Sequence, residues 1–326
     1  MHPPSELPPQ LRNQPFTVAE ARAAGLSRRR TRARDLARPC HGVRAAATTQ
    51  NTLLERLRAL AAVTGTVVSH LSAALLWGFP LPLALAQPAV VHLTSDPGRR
   101  AVRYKDVVGH QRALDPDEIV AGAWVRCTSP LRTWFDLAGT LSPDDLVIAG
   151  DFLLRRKNPL TTVAALDAFL AGKRGRTGYR RAMRARALMR ANTDSPKETE
   201  LRLLLTRYGL PEPGINVPIF DETGGWIQDP DLSYEREKIA IQYDGAHHAE
   251  PGQRRSDIFR DENARDAGWR VVVLTQTDLE PLAPGMVPTA VTRVRAALTE
   301  RGWTPAPGRG PRRASPSSRP SDTNDR

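Results

Sequence analysis

The sequence predicts a multidomain chain of mixed α+β and α/β class, and three observations carry that prediction. Thr17 lies three residues before Glu20, a capping-box spacing, and Gly25 and Ser27 follow, so two short helices open the N-terminal region. The stretch from Ser195 to Asp278 reads in the order helix, three strands, helix, strand. Between these regions, helix starts alternate with short apolar runs, which predicts a mixed α/β middle domain. At 326 residues the chain has room for two or three domains of roughly 100–200 residues each.

The first helix is expected over Val18 to Ala24, with Gly25 closing it. Ser27 then caps a second helix from Arg28 to about Ala37. Two short helices around a glycine turn form a helix-turn-helix, and His41-Gly-Val-Arg44 supplies the strand of a wing. Residues 1–50 are therefore read as a winged-helix-like DNA-binding segment. It holds nine Arg against three acids, a net +6. Arg28, Arg29, Arg30, Arg32 and Arg34 on the second helix are its candidate DNA contacts. A solvated helix face is the alternative for the same residues.

Residues 51–172 form the expected middle domain. Helices are predicted over Leu53 to Val63, Ser72 to Trp77, Pro130 to Gly139 and Pro143 to Arg155. Strands are predicted over Val90 to Thr94, Val102 to His110 and Trp124 to Cys127. Asp96, Asp106 and Asp136 are scattered, and His70, His92 and His110 share no ligand spacing, so no catalytic constellation is read here. Residues 173–193 carry eight Lys and Arg from Lys173 to Arg190 without an acid, and read as a basic linker entering an exposed helix. The tail, 303–326, is Pro, Ser, Gly and Arg with almost nothing apolar, and is expected to be disordered.

The net charge is +12, which points to a polyanionic partner: DNA, RNA or an acidic membrane surface. Aromatic content of 6% argues against a base-stacking RNA platform. Cys40 and Cys127 stand far apart outside any CxxC, which disfavours a disulfide framework or structural zinc and fits a reducing cytoplasm. Met1 to Arg12 is Pro-rich and polar, so no signal peptide is expected. The apolar run Ala73 to Val91 is broken by Gly78, Pro80, Pro82, Gln87 and Pro88, so no membrane association is expected.

The chemistry is expected in residues 194–302. Ser195-Pro196 caps a helix whose apolar stripe is Leu201, Leu204, Leu205 and Tyr208, ended by Gly209. Strands follow over Ile215 to Phe220, Trp226 to Tyr234 and Lys238 to Asp244. A polar helix comes next, about Gln253 to Ala267, and then an apolar strand, Trp269 to Thr275. Alternation puts Ile239, Ile241 and Tyr243 on one face of the third strand, and Ala240, Gln242 and Asp244 on the other. On the second strand it groups Trp226, Leu232 and Tyr234 opposite Asp229 and Asp231. A tight connection at Glu235 to Glu237 makes these two strands antiparallel neighbours, so Asp231 and Asp244 can project from one side. Two such carboxylates can hold Mg²⁺ or Mn²⁺, which polarises a phosphoryl oxygen and activates water. His248 is a candidate general acid or base, Glu198 can complete the site from behind, and Arg254, Arg255 and Arg260 are candidate phosphate clamps.

Ser195-Pro-Lys-Glu198, Pro230-Asp231-Leu, Ile241-Gln-Tyr-Asp-Gly245 with His248, and Gly268-Trp-Arg-Val-Val together resemble the restriction-endonuclease-like (PD-(D/E)xK) superfamily. They are most similar to its branch related to very-short-patch-repair endonucleases, and the likeness spans roughly Asp194 to Pro281. It implies an αβββαβ nuclease core, Asp231 as a metal ligand and an acid where this chain has Gln242. Phe16-Thr-Val-Ala-Glu-Ala-Arg-Ala-Ala-Gly25, Val68 to Pro80 and Thr128 to Asp136 are similar to the AbiEi-type antitoxins of type IV toxin–antitoxin systems. That likeness implies DNA binding without a catalytic residue. Two functions are therefore expected: a metal-dependent endonuclease acting on double-stranded DNA, for which a homodimer is one expected assembly, or a non-catalytic antitoxin-like DNA-binding regulator.

Overall fold

The computed structural model describes residues 4–12, 15–39, 41–46, 52–87, 90–122, 125–245 and 251–305, without the side chains of 251–258. The chain has a mixed α/β architecture and divides into two compact units, Met1–Ala191 and Asn192–Arg326.

The first unit opens with α1 (Pro9–Arg12), β1 (Phe16–Thr17), α2 (Val18–Ala23), β2 (Leu36–Ala37) and β3 (Val43–Ala46). The three strands form an antiparallel sheet in the order β1-β3-β2. The capping box forms: Thr17 Oγ1 accepts from Glu20 N–H at 3.0 Å, and Glu20 Oε2 accepts from Thr17 N–H at 2.6 Å. The second helix expected from Arg28 to Ala37 does not. In its place stand a single 3-10 turn, Arg30–Arg32, and then β2. The reason is local. Arg30 reaches Asp35 with two hydrogen bonds, 2.9 and 2.7 Å, and also donates to the Ser5 carbonyl. That fork bends the chain back, and Leu36 drops into a small core with Leu11, Phe16 and Ala21.

The rest of this unit comprises α3 (Leu53–Thr64), β4 (Val67–Val68), α4 (His70–Trp77), α5 (Leu83–Ala86), β5 (Val91–Ser95), β6 (Val107–Gln111), β7 (Ile119–Ala121) and β8 (Arg126–Thr128). Four helices follow: α6 (Pro130–Leu137), α7 (Pro143–Leu153), α8 (Val163–Ala171) and α9 (Tyr179–Leu188). The sheet runs β6-β5-β4-β8-β7, with β5/β6 and β4/β8 parallel and the other pairs antiparallel. The strand expected over Val102 to His110 is shorter, because Asp106 sits at φ 63° just before β6. The strand start expected at Trp124 lies outside the described residues. Val43 packs with Leu57, Leu60, Val68 and Leu93, so the N-terminal sheet and the middle region share one core across residue 50. In the basic run, Lys173 to Gly178 is an irregular connection and α9 follows it, but that helix is anchored, with Ala182, Ala185 and Met189 buried and Arg186 paired to Asp167.

The second unit contains α10 (Pro196–Arg207), β9 (Gly214–Ile215), β10 (Ile219–Phe220), β11 (Trp226–Gln228), β12 (Leu232–Tyr234), β13 (Ile239–Asp244), α11 (Pro251–Asp266), β14 (Arg270–Thr275), α12 (Gln276–Leu279) and α13 (Thr289–Glu300). The sheet order is β14-β13-β12-β9, parallel between β13 and β14 and antiparallel elsewhere. Two of the expected strands are each broken in two. Pro230 offers no N–H and restricts Asp229, so β11 ends before it and pairs with β10 in a separate hairpin. Trp226 is consequently exposed, apart from the face it was expected to share with Leu232 and Tyr234. Asn216, at φ 50°, separates β9 from β10. The stripe on α10 does bury: Leu201 and Leu205 are sealed in a core with Leu232, Tyr234, Ile239, Ile241, Val272 and Leu274, closed by Val291 and Val294 of α13. The opposite face of the sheet, at Ala240, packs with Ile219, Ile227, Ala264 and Trp269.

Candidate functional site

The second unit positions its polar residues through strand register. Leu232 pairs with Ile241 and Ser233 with Ala240, antiparallel. Asp231 sits at a bend just before β12, so alternation carried one step past the ladder would set it opposite Gln242, on the side of β13 that carries Gln242 and Asp244. The core-facing partners, Leu232, Ile239 and Ile241, occupy the other side. Asp231 is half-buried, and its Oδ2 accepts the Tyr243 backbone N–H at 2.7 Å. Asp244 is exposed at the end of β13, across from Thr275 of β14.

Gln242 Nε2 donates to Gln228 Oε1 at 3.3 Å. Gln228 is 4% exposed, and its own Nε2 has no hydrogen-bond partner among the described residues. A pair of neutral amides thus sits beside Asp231. Gln228 was missed in the sequence because it precedes the Pro230 break that places it on a different hairpin.

Glu198 is tied to the Asp231 segment through Asn216. It is 3% exposed, and its Oε2 accepts from Asn216 Nδ2 at 2.7 Å and from Asp194 N–H at 2.9 Å. Burial raises its pKa, opposed by those hydrogen bonds. Asn216 in turn donates its backbone N–H to the Asp231 carbonyl at 3.1 Å. Glu198 therefore braces the segment that carries Asp231. Among the described residues, no three His, Cys, Asp or Glu side chains converge in a way that could hold a metal. Asp231, Asp244 and Gln242 offer two carboxylates and an amide oxygen, which suit a hard dication held with modest affinity. His248 lies outside the described residues, as do the side chains of Arg254 and Arg255. Arg260 is exposed, with its guanidinium carbon 5.9 Å from the centre of the Trp226 ring, and Trp226 Nε1 donates to Asp229 at 2.9 Å.

In the first unit, Arg28, Arg29, Arg32 and Arg34 are exposed. Arg30 is not: it is 7% exposed and committed to Asp35, which removes it from the candidate DNA contacts. Three histidines without ligand spacing are brought together by α4, β5 and β6. The rings of His70 and His110 stack with centres 3.5 Å apart, and His92 Nδ1 lies 3.0 Å from His110 Nε2. Burial is the main cause that pushes His70 down to about 2 and His110 to about 4, with the neighbouring imidazoles adding to it; burial lowers His92 as well. Asp136, 3.9 Å from His70, is pushed up to about 6 by burial, against the pull of Arg132. Arg132 bridges Asp136 and Glu118 at 2.9 and 2.8 Å. Pairing at three-dimensional distance, which chain spacing does not encode, is why the sequence left these groups apart.

The two units are thus an Arg-bearing small sheet on a mixed α/β domain, and a four-stranded α/β domain with an acidic edge. No family model matches the chain, and no solved structure matches it. An uncharacterized protein in each of two strains of Mycobacterium tuberculosis is 28% identical over 264 residues, covering 79% of this chain and 92% of the relative. Among the described residues, no helix is long and apolar enough to cross a membrane.

Proposed function

We propose that this chain is a cytoplasmic, metal-dependent endonuclease of restriction-endonuclease-like type, brought to double-stranded DNA by its basic N-terminal region. The observation that carries the reading is the Asp231 carboxylate held on the Tyr243 N–H, between Gln242 and Asp244 on β13. Asp231 and Asp244 would hold Mg²⁺ or Mn²⁺, with the Gln242 carbonyl as a neutral donor; the ion, when bound, supplies Lewis-acid polarisation of the scissile phosphate. The chain's own part is positional. The Tyr243 N–H orients the Asp231 carboxylate, and Asn216, held by Glu198, fixes the backbone at Asp231. Arg260, exposed on α11, would neutralise phosphate charge.

The test is cleavage of plasmid DNA by purified protein with Mg²⁺ or Mn²⁺. Asp231→Ala is expected to lower the rate by a factor on the order of 10² or more, because the retained ligands cannot localise the ion. Gln242→Glu is expected to raise metal affinity by adding a charged oxygen donor. Equal cleavage by the native chain and Asp231→Ala removes this mechanism.

The Gln228–Gln242 amide pair favours a second reading, an antitoxin-like DNA-binding regulator whose nuclease fold does not cut. It expects mobility-shift binding to upstream DNA and no strand scission at any metal concentration.

A further inference from the structure

A cavity of about 800 Å³ opens in the first unit between α2, the Arg30–Arg32 turn, the β2–β3 connection, α3 and the connection before β6. Its wall carries Arg22, Arg28, Arg32, Arg38, Arg56 and Lys105 against one carboxylate, Asp106. Arg44 also lines it, but its guanidinium is bonded to the Thr31 and Val43 carbonyls. Asp106 is engaged by Arg56, whose Nη2 donates to its carbonyl at 3.1 Å and lies 4.0 Å from its carboxylate. The Arg56 Nε is buried without a hydrogen-bond partner among the described residues. A concave wall with this excess of cations concentrates positive potential, and a multiply charged anion relieves their mutual repulsion. Guanidinium forks match the oxygens of phosphate, and the cavity falls within the roughly 300–1,000 Å³ typical of small-molecule sites. Val18, Pro39 and Leu53 add apolar wall for a sugar or base.

We propose that this cleft binds the phosphate groups of a nucleotide, either free or within a DNA strand. Only the second source rests on the reading of this region as a DNA-binding head. Most of the cleft residues lie outside the Arg28 to Ala37 stretch, so the sequence alone did not collect them.

The test is fluorescence anisotropy in a chelator, with inorganic tripolyphosphate and ATP competing against a labelled duplex. Two variants probe the cleft, Arg56→Ala and the exposed pair Arg22→Glu/Lys105→Glu. The pair Arg99→Glu/Arg100→Glu makes the same charge change at exposed positions outside it. Native protein is expected to bind tripolyphosphate, with at least a roughly tenfold loss in both cleft variants and less than about a twofold loss in the control. A parallel loss for the duplex assigns the phosphate to DNA; a loss for tripolyphosphate and ATP alone assigns it to a free nucleotide. If Arg56→Ala does not fold, the exposed pair gives the answer by itself. The proposal is overturned if neither tripolyphosphate nor ATP binds, if the cleft variants bind as native, or if the control pair loses as much as they do. Cleft binding without any metal-dependent cleavage would end the nuclease reading and leave this one intact.

Discussion

Glu198 is a buried carboxyl in the first turn of α10, held by the Asn216 side chain and the Asp194 N–H. Its place in the Ser195-Pro-Lys-Glu198 phrase makes it a candidate to complete the site from behind. Its burial and its bonds to Asn216 and Asp194 give it a bracing role. Because folding raises its pKa, the neutral form is the one the fold favours, and its stabilisation is present at low pH and fades as pH rises through the folded value. Glu198→Gln keeps a carbonyl oxygen for both donors and is expected to leave the thermal midpoint near native at neutral pH. Glu198→Ala strands the Asn216 amide and the Asp194 N–H, and is expected to cost about 1–3 kcal/mol in urea titration. A greater loss from Gln than from Ala would contradict the bracing role. The histidine cluster makes a second residue-level prediction. His70, His92 and His110 all have folded pKa values below the ordinary 6.5, so the unfolded chain takes up their protons first as pH falls. Asp136, raised to about 6, and Glu198, raised by burial, act with the opposite sign, but two carboxyls oppose three imidazoles. The groups facing the cluster also include Arg112 and Arg132, which disfavour added positive charge. Stability is therefore expected to drop between about pH 6.5 and pH 4. A His70→Asn/His110→Asn variant should show a flatter urea midpoint over that range; an unchanged slope would count against the assignment.

Elements show where local sequence signals suffice and where they do not. The Thr17–Glu20 box forms as spaced, because all its atoms lie within one helical turn. Thr17→Ala is expected to cost about 0.5–2 kcal/mol, read from a denaturant midpoint with Thr17→Ser as the restoring change. The helix expected after Ser27 fails because the Arg30–Asp35 fork and the pairing of Leu36–Ala37 with Ala45–Ala46 compete with it. Arg30→Ala should therefore destabilise the N-terminal sheet by about 1–3 kcal/mol, through loss of the fork and an abandoned Ser5 carbonyl. If it instead lowered DNA affinity with no change in melting, Arg30 would belong among the contacts after all. The strand breaks at Asn216 and Pro230 follow the same logic in reverse. Pro230 was visible as a residue that cannot donate, but only the pairing partners show that the chain changes sheets there.

Across the whole molecule, the division at Ala191 and Asn192 implies separable folding. Residues 192–305 expressed alone are expected to give one cooperative thermal transition with native-like circular dichroism, since their core draws on α10, the four-stranded sheet and α13 without residues from the first unit. A fragment that remains unfolded would show that this core is insufficient. Residues 1–50 are not expected to fold alone, because Val43 is buried against Leu57 and Leu60 of α3.

The sequence by itself determined the mixed α/β class, the positions of the well-capped helices, the β12–β13 antiparallel pair and the side of β13 on which Gln242 and Asp244 lie. Each of these depends on residues within a turn or a strand of one another, where periodicity and capping act directly. Tertiary structure alone decided that Arg30 turns inward, that Glu198 is tied to the Asp231 segment through Asn216, that three distant histidines stack, and that cations from five chain segments line one cleft. Those outcomes depend on which surfaces bury together. Burial changes the cost of every charge, and chain spacing carries no record of it.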